Sequence, residues 1–80
     1  MSKEELLEVI EMIENDELED VHLILKHDDS PEVAWLMAFV YRKEGDKWNA
    51  NYWYDKAGRT MPSSSLNAEL EEIKELIEGL

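Results

Sequence analysis

PEVAWLMAFVYRKEGDKWNANYWYDKAGRTMP, residues 31–62, decides the fold of this 80-residue chain. Ser30-Pro31, at its head, is a helix start. Serine can cap the first turn, and proline at the first helical position has no N–H to leave unsatisfied. The spacing predicts a helix from Pro31 to about Glu44. Gly45 then stops it, because glycine takes a positive φ at little cost. Asp46 caps a following helix, read from about Lys47 to Ala57, and Gly58 ends that one. Thr60 to Ser65, with Pro62 and three serines, reads as a loop.

The flanks are also helical. Ser2-x-x-Glu5 has capping-box spacing, and Leu6, Leu7, Ile10 and Ile13 recur at helical intervals behind it. Asn15-Asp16 interrupts the pattern, and Asp16 is read as the cap of a second helix. Leu18, Val21, Ile24 and Leu25 form the apolar stripe of that helix, and His27-Asp28-Asp29 ends it. A last helix starts near Ser65, with Leu66, Leu70, Ile73, Ile77 and Leu80 on one seam and glutamates on the other face. No stretch alternates with a period of two. The expected architecture is one all-α domain over residues 1–80, with about five helices in an antiparallel stack. It comprises an N-terminal helical pair (1–29), a central hairpin (31–62) and a C-terminal capping helix (65–80).

The central hairpin resembles a tetratricopeptide repeat, a helix–turn–helix with small and aromatic residues at set offsets. The matching series is Ala38, Tyr41, Gly45, Ala50, Tyr54, Ala57 and Pro62. Small side chains let two helices approach closely, the tyrosines fill the space beside them, and Gly45 and Pro62 mark the bend and the stop. The chain departs from the pattern at Ala34, where the family usually has a large residue, and at Met37, where it usually has leucine. The resemblance covers less than half the chain. A shift of one repeat length back lands on Glu4, Leu7, Glu11, Asp16 and Asp20, which do not match, so there is no array of repeats. The block Tyr41-Arg42-Lys43-Glu44-Gly45-Asp46, followed by Asn49-Ala50 and by Tyr52-Trp53-Tyr54 with Ala57-Gly58-Arg59, also looks like the core of a family of small uncharacterised bacterial proteins. That likeness implies no activity.

Charge narrows the function. The net charge is −12, which opposes binding to nucleic-acid phosphates. It is unevenly spread. Residues 1–32 carry twelve acids and two lysines, and residues 63–80 carry five acids and one lysine. Residues 33–62 carry three acids against Arg42, Lys43, Lys47, Lys56 and Arg59. A slightly basic, aromatic centre therefore sits between acidic ends. The charged N-terminus is unlike a signal peptide, and the longest run free of charges and amides, Val33 to Tyr41, is too short to span a bilayer. With no cysteine, a cytoplasmic protein is expected.

No catalytic, cofactor or metal site is expected. His22 and His27 are five apart and point to different sides of a helix, and nothing nearby completes a ligand set. Ser63 to Ser65 have no base beside them. Neither Asp28-Asp29 nor Asp46-x-x-Asn49 has calcium-loop spacing.

Seven aromatics, Trp35, Phe39, Tyr41, Trp48, Tyr52, Trp53 and Tyr54, crowd two helices. Core packing is the ordinary use of such residues, and it is the reading for Tyr41, Trp53 and Tyr54. Three consecutive aromatics about 100° apart cannot all face inward. Trp48 and Tyr52, four apart, are the best exposed pair. The resemblance implies a second candidate. In tetratricopeptide proteins the inner face of the first helix lines a peptide groove, and the matching positions here are Trp35, Phe39, Arg42 and Lys43. Aromatic stems with two cations suit an acidic or carboxylate-ended peptide. The preferred reading of this face is that Trp35 and Phe39 pack under the acidic N-terminal helices, with Arg42 and Lys43 pairing their carboxylates. The expected function is a non-catalytic module that binds a protein or peptide partner, or its own copy, with no small-molecule substrate evident. A less favoured reading makes the glutamate-rich faces an imitation of a nucleic-acid surface.

Overall fold

In the computed structural model, which describes residues 1–80, five helices follow one another: α1 (Lys3–Glu14), α2 (Leu18–Leu25), α3 (Pro31–Lys43), α4 (Lys47–Ala57) and α5 (Leu66–Glu78). No residue is in a strand, and the chain is all-α. Four of the five helix starts are made by the side chains read as caps. Ser2 accepts from the Glu5 N–H at 3.1 Å, and the Glu5 carboxylate accepts from the Ser2 N–H at 2.8 Å. Ser30, Asp46 and Ser65 accept from the N–H groups of Val33, Asn49 and Ala68. Gly45 and Gly58 take φ of 82° and 73°. Behind each, a backbone bond folds the chain back, from Asp46 N–H to Tyr41 O and from Arg59 N–H to Tyr54 O. These are the closures that let orphan carbonyls at a helix end be satisfied.

The α1–α2 junction departs from the reading. Asp16 does not cap α2. It holds φ of 63° just past the end of α1, the left-handed position where glycine is usual, and the Glu17 N–H donates to Met12 O beyond it. Helix α2 begins after Glu17, which makes no side-chain cap bond. His27 lies past the end of α2 and is exposed.

Helix α3 is the axis of the fold. Val33 through Val40 are all buried, as befits a helix apolar on every side. Helices α2, α4 and α5 pack around it, and α1 packs on α2 and α5. Leu6, Val9, Ile10 and Ile13 of α1, Val21 and Leu25 of α2, and Leu70, Ile73 and Ile77 of α5 complete one continuous core. Ala38 and Ala50 are wholly buried, Tyr54 fills the space beside them, and Ala57 is half-buried. Two residues expected in apolar seams are outside them. Ile24 is 40% exposed because it is turned about 100° from Leu25 on the short α2. Leu80 lies beyond the end of α5.

Because α1 meets α5, the two ends of the helix series close on each other, leaving no open-ended stack. The extents are 28 × 25 × 23 Å. The accessible surface of 4888 Å² is close to the ~5,000 Å² of a compact monomer of this mass.

Candidate functional site

The two candidate faces have different fates. Trp35 and Phe39 are 3% and 2% exposed, so the groove face implied by the resemblance presents no surface for a partner. Helix α5 covers it at Trp35, and the end of α1 adjoins it at Phe39 and Lys43, where Lys43 pairs with the Asp16 carboxylate as the preferred reading of this face expects. Glu69 of α5 is buried at 1% exposure. It receives the Trp35 indole N–H at 3.0 Å, the Tyr54 hydroxyl at 2.5 Å and the Arg42 guanidinium at 2.7 Å. A second arm of Arg42 donates to the Ser64 carbonyl at the entry to α5. Lys43 is also engaged internally. Its ammonium donates to the Ile13 carbonyl at 3.0 Å, satisfying the C-terminal end of α1, which has no basic residue of its own in its last turn. Arg42 and Lys43 therefore serve the fold, because each neutralises an electron-rich group that another helix buries.

Both oxygens of Glu69 are occupied by donors from α3 and α4. Burial and the hydrogen bond to Glu69 hold the Tyr54 phenol well above the ordinary tyrosine range. With three donors from two other helices on its oxygens, this carboxylate clamps α3, α4 and α5 together. Sequence reasoning missed Glu69 among the glutamates of α5. Its register carried the signal: Glu69 is three residues after Leu66 and four before Ile73, so it lies within the apolar seam.

Trp48 and Tyr52 face solvent. Trp48 is 79% exposed and Tyr52 is 50% exposed. Ala50 and Tyr54 point into the core from the same helix, so the 100° step per residue turns Trp48, Tyr52 and Asp55 directly outward. A shallow groove runs between this face and the segment Arg59–Met61, with Asn51, Tyr54 and Thr60 also lining it. One cation, Arg59, lines the groove, and another, Lys56, lies beside the aromatic rings. The Lys56 ammonium lies 5.3 Å from the centre of the Tyr52 ring and 5.4 Å from that of Trp53. The Arg59 guanidinium stacks 3.4 Å over the buried Trp35 ring, a cation–π contact that fixes Arg59 at the groove wall. The half-buried Trp53 supports Tyr52 edge-on, with ring centres 5.6 Å apart.

The remaining polar clusters are local. His22 Nε2 sits 2.9 Å from Glu44, and its Nδ1 lies 3.2 Å from the Met37 sulfur, which ties α2 to the end of α3. No group of three or more metal-ligating side chains converges. No helix is long and apolar enough to cross a membrane. Set against known proteins, the chain matches no family model, no curated protein and no solved structure.

Proposed function

We propose that this protein is a non-catalytic interaction module, a tetratricopeptide-like hairpin whose usual peptide face is covered by its own last helix and whose outer α4 face takes the partner. The observation that carries this reading is the exposure of Trp48 and Tyr52, adjacent on one helical face, in a chain that buries its other tryptophans wholly or in part. Tryptophan and tyrosine supply large rigid contact area and dominate binding energy where they are desolvated by a partner. The flanking Lys47, Lys56 and Arg59 are exposed, which favours a partner segment bearing carboxylates beside an apolar side chain.

The test is a titration of acidic peptides containing aliphatic or aromatic residues, followed by isothermal calorimetry so that one readout serves every variant. Trp48→Ala/Tyr52→Ala is expected to weaken binding at least ~30-fold, the loss of about 2 kcal/mol typical of a hot spot, with the circular dichroism of the chain unchanged. Equal binding by the double variant would dismiss the α4 face as the site.

A further inference from the structure

Two helix faces of this protein carry large aliphatic or aromatic side chains into solvent, and their charges are of opposite sign. The first is the Trp48/Tyr52 face of α4. The second is on α2, whose inner face sends Leu18, Val21 and Leu25 towards the core. The helical step then turns Glu19, Asp20, Leu23 and Ile24 outward together. Leu23 is 56% exposed and Ile24 is 40% exposed. A short surface helix with aliphatic side chains on its solvent side has an unpartnered face.

We propose that these faces are the two halves of one contact between copies of this chain, with the outer face of α2 of one copy seated on the Trp48/Tyr52 face of α4 of the next. The inference rests on the α4 reading above and names its partner. Charge selects the pairing. Around the α2 face the exposed charges are Glu17, Glu19 and Asp20 against Lys26. Around the α4 face they are Lys47, Lys56 and Arg59 against Asp55. At a net charge of −12, a second copy is repelled by most of this surface. The segment 33–62 has an excess of cations, so an acidic helix of another copy meets attraction there. Pairing α4 with α4, or α2 with α2, places like charges opposite each other, which opposes the symmetric alternatives.

In the head-to-tail arrangement proposed here the contact joins unlike surfaces, and each copy keeps one free half. Four apolar side chains on two short helices make a contact below the ~1,200 Å² of stable complexes. The association is therefore weak and dependent on concentration.

Sedimentation of three forms tests this: wild type, Leu23→Ser/Ile24→Ser and Trp48→Ala/Tyr52→Ala. All four substituted positions are exposed, and circular dichroism verifies that each form is folded. The wild-type average mass is expected to rise steadily with concentration, while each double variant alone stays at the monomer mass of 9.4 kDa. An equimolar mixture of the two variants retains one intact α2 face and one intact α4 face. It is expected to regain association and to stop at the paired species of twice that mass. Glu19→Lys/Asp20→Lys, which leaves the aliphatic contact in place, is expected to weaken wild-type association severalfold.

A wild-type monomer at every concentration overturns the proposal, as does a mixture that fails to associate. Dimerisation of the Leu23→Ser/Ile24→Ser form alone also overturns it, because it would point to α4 pairing with α4. A monomeric chain whose Trp48/Tyr52 face still binds an acidic peptide would refute this inference and leave the α4 reading standing.

Discussion

Glu69 is the residue on which most of this structure turns. A buried carboxylate is costly unless charge and hydrogen bonds compensate it, and here Arg42, Trp35 and Tyr54 all do so. Breaking such a set from either side leaves an uncompensated charge. Glu69→Leu and Arg42→Met are each expected to cost ~3–5 kcal/mol in urea unfolding, a large part of the stability of a domain this small. The double variant is expected to lose less than the two single losses combined, because it removes both charges together. Single losses below about 1 kcal/mol would show that the clamp does not hold α5 in place. Ser64 lies next to this cluster, and its hydroxyl is buried without a hydrogen-bond partner.

At the scale of the element, helix ends are where local chemistry is most exposed to test. Three chain reversals use the left-handed position, two with glycine and one with Asp16. A side chain there crowds the following carbonyl by ~1–2 kcal/mol. Gly58→Ala is therefore expected to destabilise by about 1 kcal/mol, although open space surrounds the added methyl. Asp16→Gly relieves the same strain. It also removes an exposed ion pair to Lys43 at 3.5 Å, a type of contact that contributes ~0–1 kcal/mol. The expected net effect is a gain of about 0.5 kcal/mol. Thermal melts of both variants measure this, and an Asp16→Gly protein less stable than its parent would refute the strain argument. Gly79, at the end of α5, has a negative φ and carries no such penalty.

For the whole molecule, pH reads out the sum of these contacts. Asp28 is held below the usual carboxylate range first by its hydrogen bond to the N-terminal ammonium, then by the Ser30 N–H. Asp46 is held low by the Asn49 side chain and N–H, and Glu5 by the Ser2 N–H. A group whose folded pKa is depressed stabilises above its unfolded value and loses that contribution as pH falls through the folded one. Stability is therefore expected to decline below about pH 4. At the other limit, Tyr54 is raised by burial and by Glu69, and Lys74 by its bond to Glu14. Groups raised on folding stabilise fully below their unfolded pKa and cease to do so as pH rises beyond it. Unfolding is then expected to begin near pH 10, where free tyrosine and lysine titrate. Absorbance of tyrosinate should show Tyr54 of the folded protein ionising above the range of free tyrosine. Tyr54→Phe should lower stability at neutral pH and flatten the alkaline limb. If Tyr54 ionises within the range of free tyrosine in the folded protein, the buried bond to Glu69 is not present.

What the sequence by itself determined is the set of helices and most of their ends, the α1–α2 junction excepted. Capping serines, Asp46, Pro31, Gly45 and Gly58 act within three or four residues, so their effect is legible without knowledge of the fold. The same holds for the outward direction of Trp48 and Tyr52, which follows from the 100° step once Tyr54 is inside. Only the tertiary structure decided which apolar face meets which. The Trp35/Phe39 face, a groove by resemblance, is closed because α5 returns from 34 residues away to bring Glu69 to Trp35. Arg42, one of several surface cations by sequence, becomes the half-buried partner of a buried carboxylate through the same return. Long-range burial depends on where distant helices land, and a glutamate among glutamates reveals its role only when that landing removes it from water.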